Sequence, residues 1–462
     1  MVTTPESNNP YSIHPDCPDF RMLGGQTEGE AALRALGDAV ARDDRERDAM
    51  WAREGFTRRA LLTGGLGVGV AALAAQLTTA RVSYGSPAEM AANGNRSLVV
   101  VFLRGGLDGL SVLVPAEDKD LLASRPNIAI RGGSLIPFDR NFGLHPALSA
   151  LKPMLDAGKI AAVPDIATPE LSRSHFQAQD CLERGGTSAG GNTGWLDRVL
   201  EQAGAGTTFR SVSATQNLTR SLIGTQNSLV ARRLSDLKIH ANDNLRDKTR
   251  AAIEQLYTGI EHPFTVQAGI ALDADAQAAA INAANNDDPR GYPEGGFPSD
   301  LRTLATLIKS EVGMRLATVD LGGWDMHSGI GDVDQGNMRD ALQKLGDSLA
   351  AFFADLGPKA DSTTVILMSE FGRRAEQNGS GGTDHGHGGL AMAIGGGVRG
   401  GVYGTWNGVS ENALVYGDLP GHNDFRDFLG EVVMSTMGLT EGQLANVFPN
   451  WKVSTSGMMV PA

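Results

Sequence analysis

The sequence predicts an α/β protein built on a doubly wound, mostly parallel sheet with helices on both faces and a helical insertion. Three observations predict it. Continuous apolar, β-branched runs alternate with helical stretches, the order that parallel strands and their crossovers require. Each run stops at a polar, glycine-rich turn. The rhythm breaks once, over about 237–285, where Ala, Asp, Asn and Gln recur at helical spacing.

The elements follow in order. Residues 1–57 form an N-terminal extension whose stretch 31–53 has helical composition. Thr57-Arg58-Arg59-Ala60-Leu61-Leu62 then opens an uncharged apolar run that ends in the small residues Thr78-Thr79-Ala80. Paired arginines, an apolar stretch and a cleavable end make 58–80 a twin-arginine signal peptide, and so place the mature chain in the periplasm or outside the cell. Ala and four Gly dilute the run too far for a permanent anchor, so no stable membrane span is expected after cleavage.

The main domain is expected over 95–462. LVVVFL at 98–103 reads as a strand buried on both faces, and 160–163, 315–321, 363–368 and 390–394 read the same way. Helices are expected at 148–158, 300–312 and 338–356, and the insertion at about 237–295 as a flap or a partner surface. No convincing repeat of fixed period appears, which argues against a solenoid or propeller.

Net charge is −13, from 40 basic and 53 acidic residues without a Lys/Arg block, so no nucleic acid partner is expected. Cys17 and Cys181 are the only cysteines and make neither a disulfide framework nor a four-thiolate zinc site. Any metal must therefore use oxygen and nitrogen ligands.

In open α/β sheets the ligand crevice lies at the carboxyl ends of the strands. The polar clusters there are Arg104-Gly105-Gly106-Leu107-Asp108, then Asp165 and Ser172-Arg173-Ser174-His175, then Trp324-Asp325-Met326-His327, then Ser369-Glu370-Phe371-Gly372-Arg373. Thr383-Asp384-His385-Gly386-His387 stands before the last apolar run. In extended backbone, residues i and i+2 point the same way, so Asp325 with His327, and His385 with His387, each offer two ligands to one point. With Asp108 and Glu370 they are the metal candidates, for one or two divalent ions. Ser174 is the candidate nucleophile, with Ser172 its rival; either serine could instead cap the helix that follows. Arg104 and Arg373 are the candidates for holding a substrate anion.

Two patterns carry less. Gly186-Thr187-Ser188-Ala189-Gly190 matches G-x-S-x-G without the strand and helix a nucleophile elbow needs. Gly395-Gly396-Gly397-Val398-Arg399-Gly400 matches G-x-G-x-x-G, yet Gly401-Val402-Tyr403-Gly404 cannot open a phosphate-binding helix, which disfavours a nicotinamide or flavin enzyme.

The twin-arginine start, FLRGGLDGLSVLVP, FGLHPAL, SRSHFQAQD, GGWDMHS, SEFGRR and GTDHGHGG occur in that order. The chain thereby resembles the bacterial exported family known as domain of unknown function 1501, from about Arg58 to Tyr403. That family resembles the alkaline phosphatase and sulfatase superfamily, and the resemblance implies a metal site at the carboxyl edge of the sheet. By it, Asp108 is the first-strand metal aspartate, Ser174 lies in the region of the metal-bound nucleophile, and Asp325 with His327 is the ligand pair of one metal. His385 or His387 is then its last histidine. Where the superfamily shows Asp-His-Gly, this chain has Glu370-Phe371-Gly372; Glu can replace Asp, but Phe371 cannot replace His. His175, beside the nucleophile, is the second catalytic candidate or a compensating ligand.

The expectation is an exported metal-dependent hydrolase of phosphate or sulfate esters. It would act on a small anionic ester with one or two ions, zinc first and then manganese, iron or calcium. The alternative is a non-catalytic metal-binding envelope protein working with a second exported partner, and a third reading is a module that binds an anionic glycan through Arg104 and Arg373.

Overall fold

The computed structural model describes residues 96–186, 192–239, 241, 245–257, 263–284 and 291–461. The extension, the expected twin-arginine signal with its apolar run, Cys17 and most of the Gly186–Gly190 motif lie outside the described residues.

The strands are β1 (Ser97–Leu103), β2 (Leu113–Pro115), β3 (Ile136–Pro137), β4 (Phe142–Leu144), β5 (Ile160–Ala167), β6 (Ser211–Ser213), β7 (Leu229–Val230), β8 (Leu316–Leu321), β9 (Thr363–Met368), β10 (Gly389–Gly395), β11 (Gly401–Val402) and β12 (Asn423–Asp424). The helices are α1 (Gly109–Val112), α2 (Lys119–Ser124), α3 (Lys152–Asp156), α4 (His175–Arg184), α5 (Trp195–Gln202), α6 (Arg246–Tyr257), α7 (Pro263–Ala284), α8 (Gly296–Lys309), α9 (Asn337–Leu356), α10 (Phe425–Met437) and α11 (Glu441–Val447).

The main sheet runs β11-β5-β10-β9-β1-β8-β6-β7, with β12 also on β5. Every pairing in it is parallel except those of β10, which lies antiparallel between β5 and β9. This is the expected mostly parallel α/β sheet. Because β10 alone is reversed, its start meets the carboxyl ends of β1, β5, β8 and β9 at one edge. β2, β4 and β3 form a small separate sheet.

β1, β5, β9 and β10 are buried along their whole length, as continuous apolar runs covered on both faces must be. Leu98, Val100 and Phe102 share one face with Ala161, Ile366 and Ala393, under Trp195 and Val199 of α5 and Phe428 and Val432 of α10. Leu103, Leu367 and Met392 face the other way, onto Leu148, Leu342 and Leu345 around a void of only about 10 Å³. Helix α9 buries Met338, Leu342, Leu345, Leu349, Phe352 and Leu356, one stripe at three- and four-residue spacing. Each such side chain contributes about 1.5–3 kcal/mol through burial.

Three local expectations shift. The helix expected at 148–158 begins as a 3-10 turn, Pro146–Leu151, and becomes α-helical only at α3. Helix α8 starts ahead of the expected 300, and Asp165 lies inside β5 instead of after it. Gly401–Val402 is a short strand, so the glycine pattern before it opens no helix.

Lys238–Asp275 separates from the rest of the described chain as its own unit. Within it Ile239, Ile253 and Leu272 pack together, and Asp275 accepts from Arg246, Arg250 and the Ile239 amide. The helical composition read from the sequence is met there by α6 and the first part of α7. Among the described residues no helix is long and apolar enough to cross a membrane.

Candidate metal centre

Four chain segments bring polar side chains to the carboxyl edge: the loop after β8 carries Asp325 and His327, the first residue of α4 is His175, β9 is followed by Glu370, and His385 precedes β10. Two glycines allow the crowding. Gly105 has φ +123°, and a Cβ there would stand 2.5 Å from the Asp325 amide; Gly106 has φ +67°, and its Cβ would stand 2.3 Å from the Phe371 ring.

His175, Asp325 and His385 form a group able to hold a metal ion. The His175 and His385 Nε2 atoms are 3.1 Å apart, His385 Nε2 is 3.3 Å from Asp325 Oδ1, and His175 Nε2 is 3.6 Å from Asp325 Oδ2. His327 Nε2 lies 3.0 Å from His385 Nε2 and 3.0 Å from Asp325 Oδ1.

Proton accounting explains why these atoms converge. The His175 Nδ1–H donates to Glu370 at 2.7 Å, that of His385 to the Arg173 carbonyl at 2.8 Å, and that of His327 more weakly to Asp384 at 3.3 Å. Each imidazole is thus held with its Nε2 inward, the arrangement by which outer carboxylates and carbonyls orient metal-binding histidines. Nitrogens 3 Å apart, beside a carboxylate, repel unless a proton or a metal cation lies between them. Ligands bound to zinc at 2.0–2.1 Å in tetrahedral geometry stand about 3.3 Å from one another. The 3.1, 3.3 and 3.6 Å separations fit that spacing, so the donor set suits a divalent ion.

Electrostatics agrees. Burial opposes a charged His175, but hydrogen bonds and charge from Asp325 and Glu370 outweigh it and raise its pKa to about 9. Burial also works against a charged Glu370, yet His175 and Gln179 bring it down to about 2. For Asp325, hydrogen bonds from the three histidines and the charge of Arg373 outweigh burial and hold it below the usual carboxylate range. Burial lowers His385. The pocket thus favours anionic carboxylates around a positive centre.

The other sequence candidates are placed as follows. Glu370 is fully enclosed and takes His175 Nδ1, the Gly105 amide and the Gln179 amide on Oε1, so it braces His175 and stands outside the candidate group. Asp108 is outside it too: its two oxygens accept from Arg125 at 2.6 and 3.0 Å, both residues being buried. Arg104 is turned to Asp320, Glu183 and Gln179 and lies over Phe102. Arg373 donates to Asp325 at 2.5 Å and to the carbonyls of Gly105, Gly106 and Thr383. Both guanidiniums, expected on a substrate anion, thus serve protein acceptors. His387 is not brought to the group; it lies by Gly421, near the charges of Asp418 and Asp165, because the backbone between the two histidines is not regularly extended. Ser174 is the N-cap residue of α4, but its side chain does not cap, while the Ser172 hydroxyl is engaged with Gln177 and the Ser174 amide. Phe371 packs on the His175 and His385 rings at centroid distances of 4.8 and 4.7 Å, walling the site with hydrocarbon.

Sequence reasoning missed Gln179, which donates to Glu370, the Arg173 carbonyl and Asp384 as partners of His385 and His327, and His422, whose Nδ1 meets the buried Asp165 at 2.6 Å. The spacing His175, Gln179, Glu183, every fourth residue on one helix, was the available signal.

Residues 162–419 match the family model described as a protein of unknown function, DUF1501. The chain belongs to this family. No curated protein matches. Among solved structures, the DUF1501 chain is similar to the alkaline phosphatase PafA at 12% identity, over 61% of this chain and 64% of that one, with a TM-score of 0.29. It thus spans less than two thirds of that protein's length. A protein of the alkaline phosphatase superfamily from Vibrio parahaemolyticus matches at 11% identity over 72% and 69% of the two chains, TM-score 0.28. The lipoteichoic acid synthase LtaP from Listeria monocytogenes matches at 10% over 78% and 76%, TM-score 0.30.

Proposed function

We propose that this DUF1501 protein is an exported metal-dependent hydrolase of phosphate or sulfate esters, using one divalent ion, zinc before manganese, iron or calcium. The observation that carries it is the convergence of the His175, His385 and Asp325 donor atoms, each imidazole turned inward by an oxygen acceptor behind it. A cation there supplies positive charge that draws the anionic ester and polarises it.

The chain's own groups do the rest. His175, His385 and Asp325 hold the ion, with His327 as the neighbouring fourth donor. The Ser174 hydroxyl, one residue from His175 and not used as a cap, attacks phosphorus or sulfur; the ester oxygen leaves with a proton, and water then cleaves the seryl ester and restores the hydroxyl.

Turnover of a chromogenic phosphate or sulfate ester by the zinc-loaded chain, abolished in Ser174→Ala with zinc still bound, is the expected result. Absence of turnover of both ester classes by the metal-loaded protein would overturn the reading. It would favour a non-catalytic metal-binding envelope protein with an exported partner, a second reading motivated by the Phe371 wall beside the two histidines.

A further inference from the structure

The metal reading leaves unexplained why α4 carries polar residues on its inner side. His175, Gln179 and Glu183 follow at intervals of four and so share one face of the helix. His175 reaches the metal group, and Glu183 is buried against Arg104 at 3.0 Å and the Ser221 amide at 2.8 Å. Gln179 lies between. Its Oε1 accepts from Arg104 Nη1 at 3.2 Å, and its Nε2 donates to Glu370 Oε1 at 2.9 Å, the same oxygen that receives the His175 Nδ1–H.

The amide cannot be turned round. Arg104 has only donors and an ionised Glu370 only acceptors, so the reversed Gln179 would set N–H against guanidinium and oxygen against carboxylate. Arg104 is itself fixed by Asp320 at 2.8 Å and by Glu183. Direction therefore passes from Arg104 to the Gln179 amide, from the amide to the Glu370 carboxylate, and from the carboxylate to the His175 ring.

We infer that Gln179 is a positioning residue for the metal centre: oriented by Arg104, it pins Glu370 so that His175 keeps its Nε2 lone pair inward. This rests on the metal reading. Outer partners of ligand histidines typically change metal affinity by about 10–100-fold. Gln179 is one step further out, so the lower end applies.

The test uses the full chain and zinc alone, with its dissociation constant read by competition against a chromophoric chelator, and cobalt in place of zinc as a spectroscopic probe. Gln179→Met keeps the length of the side chain and removes both hydrogen-bonding ends; Gln179→Glu keeps an acceptor for Arg104 and loses the donor to Glu370. Expected are a roughly 10-fold weaker zinc affinity for Gln179→Met, an equal or greater loss for Gln179→Glu, and an altered cobalt absorption band in both. The zinc-free melting temperature of Gln179→Met should stay within about 2 °C of the parent, which separates positioning from packing. Affinities within twofold of the parent with an unchanged cobalt band overturn the inference and leave the metal reading standing. A parent chain that takes up no zinc overturns both.

Discussion

His385→Ala and His387→Ala, two substitutions two residues apart, should behave as opposites. The pair looks equivalent in the sequence, yet the His385 nitrogen meets His175, His327 and Asp325 at 3.1, 3.0 and 3.3 Å, whereas His387 lies by Gly421. Four-ligand zinc sites bind with about 10–16 kcal/mol, roughly 2.5–4 kcal/mol per ligand, so removing His385 should weaken zinc by about 10²–10³-fold. Removing His387 should change affinity by less than about threefold, under 1 kcal/mol. Chelator competition on the two variants and the parent supplies the constants, and near-UV circular dichroism confirms that each is folded. Equal losses in both, or none in His385→Ala, would show that the group has been assigned to the wrong atoms.

Two further outcomes concern stability. Arg125→Met strands the buried Asp108 carboxylate, which keeps only Ser111 at 2.6 Å, and should destabilise the fold by about 3–5 kcal/mol in urea titrations while zinc affinity holds. His145 accepts the Ala147 amide at the start of the 3-10 turn, and burial, helped by the charge of Arg339, lowers its pKa to about 4. Its folded pKa lies below the unfolded value of 6.5, so its contribution is complete above pH 6.5 and is lost as pH falls through 4, up to about 3 kcal/mol. His145→Asn, which still caps but does not titrate, should flatten that slope in the pH dependence of the denaturation midpoint.

Much of this architecture was legible because parallel strands buried on both faces write themselves as unbroken apolar runs, as at β1, β5 and β9. The orientation of β10 was not, since its run reads the same in either direction and only its partners decide it. In the site, Asp325, His327 and His385 were legible as polar residues at strand ends, and His175 was marked beside the nucleophile. Asp108 stood at an equivalent strand end, but Arg125, seventeen positions on, claims its carboxylate. Composition cannot tell a candidate ligand carboxylate from a brace: Asp325 faces the Nε2 atoms of three histidines, whereas Glu370 meets His175 from behind, at Nδ1.

The reversed strand also determines when the site can exist. His175 and His385 are 210 positions apart and Asp325 and His385 are 60 apart, so no neighbouring pair of elements carries the group. It appears only after β5, β10, β9, β1 and β8 lie side by side, and such long closures are the slow part of folding. Metal uptake would then mark a finished sheet, and the ion would fasten it like a clasp, adding about 2.7 kcal/mol at a free concentration a hundred times its dissociation constant. A chain ending after β9 but before His385 would keep His175 and Asp325 and lose the histidine that touches both.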